Sequence, residues 1–272
     1  MTAILNARKL QLIETLYENS QTGRALFKVR HQETGLFYSL KRLSLAENSE
    51  TVARREIIAL NRLPFGLAPH CHQLFQDQHC LYLLLDWIGG TPLNRFFTGM
   101  PKDRYDLDRR LLALNLAARR LDTIHRAKLT HRDIKPDNLI GTGAGDRLTD
   151  CYLIDFGLAA QGRNQEEGTY CYRAPEQDLR RDRNISPATD IFGLGQTGWY
   201  LMTGTPHQRE YNADYSDWAP SAPPILPAFC GTRLPDILEK ATRFDPRQRH
   251  ASASQFANEI NGARKQLQGN RR

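Results

Sequence analysis

Residues 131–138 read HRDIKPDN, immediately downstream of a long helical stretch. Leu111, Leu114, Ala118, Leu121 and His125 recur at i, i+3 and i+4 spacing, which predicts an amphipathic helix running to residue 126. The loop after it gathers an aspartate (Asp133), a lysine two residues on (Lys135) and an asparagine five residues on (Asn138). Seventeen residues past Asn138 comes Asp155-Phe156-Gly157, behind the apolar strand-like run CYLI at 151–154. An aspartate there emerges from a strand end, and the glycine gives the turn its freedom. A carboxylate able to orient a hydroxyl, a cation beside it and oxygen ligands for a hard divalent ion are the parts that phosphoryl transfer from ATP requires.

The rest of the chain arranges itself around this segment. Residues 10–45 alternate like strands, with turn signals at Asn19–Gly23 and Glu33-Thr34-Gly35. Residues 48–63 switch to helical period, with Val52, Glu56, Ala59, Leu60 and Leu63 on one face and Pro64 closing the helix. Strands are expected near 71–76 and 80–86, and GGTP at 89–92 breaks the pattern like a linker. Beyond it the chain reads as helical, with short strands near 138–140 and 151–154, helices over 188–203, 233–243 and 252–268, and a long surface loop over 205–227. No internal repeat is visible.

The bulk numbers fit this layout. A chain of 272 residues, 40% hydrophobic and 25% charged, suits one large domain or two lobes. The net charge of +7 is spread over arginine pairs with no basic run longer than two, so no nucleic-acid partner is expected. Five cysteines (71, 80, 151, 171 and 230) without C-x-x-C spacing argue for a reducing compartment, and no apolar run reaches the ~20 residues of a membrane span. A soluble, cytoplasmic protein is the expectation.

Further motifs follow the first two: GTYCYRAPE at 168–176, SPATDIFGLG at 186–195 and FDPRQRHASA at 244–253. Together these residues resemble a eukaryotic-type (Hanks-type) Ser/Thr protein kinase catalytic domain over about residues 10–265. The resemblance implies an α+β, bilobal fold in a single domain over 1–272. Its small β-rich N-lobe would span about 10–85, its hinge about 86–90 and its larger α-helical C-lobe about 91–265, with a basic tail at 266–272. It implies ATP and Mg²⁺ (or Mn²⁺) as cofactors and protein Ser/Thr hydroxyls as acceptors, the chain's own included through autophosphorylation. The oligomeric state stays open.

Residue by residue, the resemblance makes Asp133 the catalytic base, sets Lys135 beside the γ-phosphate, and gives the metal to Asn138 and Asp155, with Gly157 completing the turn. Thr169 would bridge Asp133 and Lys135. Arg132 would brace the activation segment, Glu176 would pair with Arg249, and Asp190 would tie its helix to the catalytic loop. Lys41 of YSLK would contact the α- and β-phosphates and pair with Glu56 of RREIIAL; both fall on inward-facing positions of their elements. Leu26, Ser39 and Ile140 would border the adenine, with Leu85 as gatekeeper and Asp86 to Ile88 as the hinge.

Two departures stand out. Counting back from Lys41 without gaps, the three glycines usual in the phosphate loop fall on Asn19, Gln21 and Arg24, and the loop's own Gly23 sits one place early. Between Gly157 and Thr169 the chain reads LAAQGRNQEEG, with no Ser, Thr or Tyr, so Glu166 or Glu167 is expected to stand in for an activating phosphate beside Arg132. An active Ser/Thr kinase with a degenerate loop is the first reading, and a pseudokinase or nucleotide-sensing scaffold is the alternative.

Overall fold

The structure is a computed structural model that describes residues 1–45, 49–159, 169–178 and 185–269. The chain forms two compact units, Met1–Gly89 and Gly90–Arg272.

The first unit is a five-stranded antiparallel sheet with two helices. Its elements are α1 (Thr2–Asn6), β1 (Leu10–Asn19), β2 (Arg24–His31), β3 (Phe37–Ser44), α2 (Ser49–Asn61), β4 (Cys71–Gln76) and β5 (Cys80–Asp86), with the strands ordered β1-β2-β3-β5-β4. Strand alternation sorts the side chains by face. Ala25, Phe27, Val29, Leu40, Tyr82 and Leu84 point to one face, where Leu5 and Leu10 pack over them as a buried core. Each large side chain so buried contributes about 1.5–3 kcal/mol. The α1 turn that supplies Leu5 was not expected from the sequence. Its five residues are too few to show a helical period. The opposite face carries Leu26, Ser39, Lys41, Leu83 and Leu85, because Leu26 and Leu83 flank Lys41 in the pairing and Leu85 stands opposite Ser39.

The second unit is mostly helical. It holds β6 (Thr91–Pro92), α3 (Leu93–Phe96), α4 (Arg104–Arg126), β7 (Leu139–Ala144), β8 (Arg147–Leu153), α5 (Pro187–Thr203), α6 (Arg233–Ala241) and α7 (Ala253–Gly269). Asp103 caps α4 by accepting from the Asp106 amide at 2.8 Å. Of the stripe expected on α4, Leu111, Leu114, Ala118 and Leu121 are buried and His125 is half-buried, and Leu107 and Ile124 are buried beside them. Helix α5 starts at Ser186 with Pro187 in its first turn and stops at Gly204, which is left-handed at φ +84°. It is buried nearly all round, and its glycines allow this. A methyl group on Gly193 would sit 2.8 Å from Ile134 of the HRDIKPDN segment, and one on Gly198 would sit 2.4 Å from Leu238 of α6.

Two expectations need correction. The strands expected near 138–140 and 151–154 form a longer hairpin, β7–β8, closed by Gly145. Gly141 and Gly143 hide β7 from a propensity reading, yet a side chain on Gly141 would meet Leu148 at 2.7 Å. The stretch 205–227 is not simply a surface loop. Tyr211 and Trp218 form a β-bridge, and Trp218 packs against Tyr211, Phe192 and Phe244 with ring centroids 5.2, 6.2 and 5.3 Å apart.

Glu176 and Arg249 form a fully buried bidentate pair at 2.7 and 2.9 Å, and Thr189 Oγ1 donates to Glu176 at 2.9 Å. Arg249 also donates to the carbonyls of Ala188, Arg243 and Phe244, so nearly all of its fork is engaged. Arg249→Met, which strips Glu176 of its cation in a buried site, is expected to lower unfolding stability by about 3–5 kcal/mol. Denaturant unfolding checks this, and adding Glu176→Gln to that variant should restore a large part of the loss.

Candidate active site

Asp190, at the start of α5, organises the loop that carries HRDIKPDN. Its buried carboxylate accepts the His131 and Arg132 amides, each at 2.7 Å, and contacts His125 Nε2 at 2.8 Å. Arg132 is thereby held left-handed at φ +69°, which costs a non-glycine residue about 1–2 kcal/mol. Gln177 reinforces the turn by donating to the Arg132 carbonyl at 2.9 Å while accepting the Ala174 amide at 3.0 Å. His131 links the loop to the second motif: its Nε2 lies 3.0 Å from the Ile154 carbonyl, and its ring meets Phe156 edge-on at 4.8 Å. The Ile154 amide donates to the Asn138 carbonyl at 3.0 Å. Asp155 then turns left-handed at φ +64°, with the Gly157 amide 3.4 Å from its Oδ1.

These constraints bring four of the expected side chains together. Asp133 Oδ1 accepts from the Thr169 hydroxyl at 3.0 Å and the Thr169 amide at 3.1 Å. Asp133 Oδ2 accepts from Asn138 Nδ2 at 3.0 Å and pairs with Lys135 Nζ at 2.9 Å. Lys135 in turn donates to Thr169 Oγ1 at 2.6 Å. Asp133 and Lys135 are 11% and 20% exposed, so their charges are partly desolvated yet reachable. Because Asn138 spends its NH₂ on the carbonyl and carboxylate of Asp133, its Oδ1 is left as an oxygen acceptor.

In the first unit, Lys41 Nζ lies 2.7 Å from Glu56 Oε2, with the lysine 18% and the glutamate 1% exposed. A carboxylate so buried on the apolar face of α2 is tolerable only with such a partner. Leu85 is buried, while Leu26, Ser39, Asp86 and Ile88 are half-buried. The Asp86 amide donates to the His70 carbonyl at 3.0 Å, and its carboxylate accepts the His70 amide at 2.9 Å and contacts His72 Nε2 at 2.7 Å. Ile140 is a buried member of β7 in the second unit. Glu166 and Glu167 lie outside the described residues.

Sequence reading missed three supports of this geometry: His125, Gln177 and Gly193. For Gly193 a signal existed in the spacing of GLGQTG (193–198), three glycines in one helix. The roles of His125 and Gln177 depend on where distant segments fold and leave no local pattern.

Comparison with known proteins places the chain in a family. The chain is similar to the serine/threonine-protein kinase PknA of Mycobacterium tuberculosis, with 30% identity over 206 residues, 71% of this chain and 45% of that protein. It is similar to serine/threonine-protein kinase C of Synechocystis sp., with 30% identity over 209 residues, 71% of this chain and 37% of that protein. A calcium and calcium/calmodulin-dependent serine/threonine-protein kinase of Oryza sativa subsp. japonica is 27% identical over 168 residues, 58% of this chain and 32% of that protein. The chain thus spans less than half the length of these curated relatives. The protein kinase domain model matches residues 21–258, and with that match covering most of its length this chain belongs to the protein kinase domain family.

Proposed function

We propose that the chain transfers the γ-phosphate of ATP to serine and threonine hydroxyls of proteins, itself among them. The observation that carries this reading is the Asp133–Thr169–Lys135–Asn138 cluster, in which one carboxylate is held by a hydroxyl, an amide, a carboxamide and an ammonium within 2.9–3.1 Å. In this role Asp133 orients the acceptor hydroxyl and takes its proton, while Lys135 offsets charge on the transferring phosphoryl group. Thr169 fixes the spacing of the other two. A lysine rather than an arginine at 135 and the GTYCYRAPE segment support Ser/Thr over Tyr acceptors; the intact Ala174-Pro175-Glu176 supports a protein over a small-molecule acceptor.

Asn138 Oδ1 and the Asp155 carboxylate are hard oxygen donors, the chemistry Mg²⁺ prefers. Among the described residues no cluster of three or more His, Cys, Asp or Glu could hold a metal alone. Mg²⁺ that arrives with ATP is usually held by one or two carboxylates plus substrate phosphates, so a two-residue set fits it. When bound, the ion neutralises charge on the phosphates. Lys41, steadied by Glu56, would orient the α- and β-phosphates; Leu26, Ser39 and Ile140 would border the adenine, and Leu85 with the Asp86–Ile88 main chain would set its edge. Arg132, Gly157, Glu176, Asp190 and Arg249 hold the loop and the segments around it.

A reducing, cytoplasmic setting goes with this reading. Burial pushes the Cys71 and Cys230 thiols up to about 11 and the Cys151 thiol up to about 12, so these three stay protonated at neutral pH. No helix among the described residues is long and apolar enough to cross a membrane.

An assay with Mg²⁺ and labelled ATP, scoring transfer to the chain itself and to a generic basic protein, tests the proposal. Asp133→Ala and Lys41→Ala should each cut transfer by at least about 10²-fold; transfer that survives in Asp133→Ala would remove the base assignment. ATP binding without any transfer would favour the scaffold alternative. Thr169→Val, which removes the bridging hydroxyl and keeps the shape, should lower kcat about 10- to 100-fold with little change in the ATP KM. Label on tyrosine alone would overturn the Ser/Thr reading.

A further inference from the structure

The β1–β2 turn lacks the glycines of a phosphate loop, and the structure shows what replaced them. Asn19 and Arg24 are the last paired residues, so the turn is Ser20–Gly23. Asn19 Oδ1 accepts the Gln21 and Thr22 amides, both at 3.0 Å. Those donors are therefore spent inside the turn, whereas a glycine-rich loop would present them to an anion. Gly23 is left-handed at φ +66° and lies so close to β3 that a methyl group on it would sit 2.8 Å from Ser44 Cβ.

Arg42 fixes this turn from β3. Its Nε donates to the Gly23 carbonyl at 3.3 Å, its Nη2 meets Glu18 Oε1 at 2.7 Å, and its guanidinium lies 5.4 Å over the Phe27 ring. One side chain thus ties together β1, the turn, β2 and β3, on the face opposite Lys41.

Arg24 lies on the other face. Ala25, Phe27 and Val29 point into the core, so Arg24, Leu26 and Lys28 share the face of Lys41. Leu26 stands directly opposite Lys41, which makes Arg24 and Lys28 its diagonal neighbours on β2, about 7–8 Å away. Lys28 is occupied, with its ammonium 4.6 Å from the ring centroids of both Phe37 and Trp87. Arg24 is exposed, and its guanidinium makes no ion pair among the described residues. Lys41 shares its charge with Glu56, so Arg24 supplies the uncompensated positive charge at the turn end of this face.

We propose that Arg24 binds the polyphosphate of the nucleotide, and that Arg42 is the positioning residue that holds the turn so that Arg24 can do so. Grip on the phosphates is then a charge-assisted contact from a preset turn, in place of backbone amides from a mobile one. The inference rests on the ATP-dependent kinase reading above and names the phosphate contact of that same site.

Calorimetric titration of the full chain with Mg-ATP, and separately with adenosine, tests it. Arg24→Ala is expected to weaken Mg-ATP binding about tenfold and leave adenosine within about twofold, while Arg24→Lys keeps most of the affinity. Arg24→Gly, which restores a glycine of the usual pattern, should behave like Arg24→Ala; tighter ATP binding in that variant would overturn the inference. Arg42→Ala should raise the ATP KM about threefold with kcat nearly unchanged and speed amide exchange at Gln21 and Thr22. Mg-ATP binding indifferent to Arg24, or equal losses for ATP and adenosine, would overturn this inference alone. A wild-type chain that binds no Mg-ATP would overturn the nucleotide reading itself and this inference with it, while the exchange measurement still reports whether Arg42 holds the turn.

Discussion

The buried carboxylate of Asp190 is the contact on which the candidate site depends. Two consecutive main-chain amides and a histidine converge on it, and no uncharged side chain offers as many strong acceptor positions in that space. The turn it holds is unfavourable in isolation, since Arg132 sits in left-handed backbone. Charge-assisted bonds of about 1.5–3 kcal/mol each offset that cost. Because Asp190 belongs to α5 and Gly193 of the same helix packs against Ile134, the loop is both suspended from and seated on one buried helix.

The ion pairs of the chain differ in exposure, and exposure fits what each can do. Glu176 and Arg249 are fully buried and bidentate, a geometry that fixes a segment and cannot readily rearrange. Lys135 and Asp133 remain partly exposed, so both can meet a ligand without first losing a buried partner. Lys41 and Glu56 are intermediate: the glutamate is buried and fixed while the lysine reaches partly into solvent. A buried carboxylate beside a partly exposed lysine orients the ammonium.

The β1–β2 turn illustrates a trade of one physical resource for another. Glycines let backbone approach an anion at the cost of conformational entropy. Here Asn19 closes the turn on itself, Arg42 anchors it to β3, and positive charge is placed on the face of Lys41. Asn19, which stands at one of the usual glycine positions, thus both breaks the glycine pattern and orders the turn.

Much of this was legible in the sequence, for local reasons. Strand alternation and helical period gave the five-strand sheet and α2 of the first unit and the long helices of the second to within a few residues, but not α1, α3 or the full β7–β8 hairpin, and the spacing within HRDIKPDN placed its side chains in one short loop. The inward positions of Lys41 and Glu56 followed from period alone, since each must find a partner to be buried. Periodicity carries no information about contacts between segments far apart in the chain. That Thr169 reaches back to Asp133 and Lys135 was expected only through the family resemblance, and that Gln177 secures the Arg132 carbonyl and Arg42 holds a turn nineteen residues upstream was decided only when the chain folded. The sequence by itself determined which chemical groups are available and on which face of each element they stand. Tertiary structure decided which of them meet, because a hydrogen bond depends on ångström-scale placement that spacing along a strand or helix does not encode.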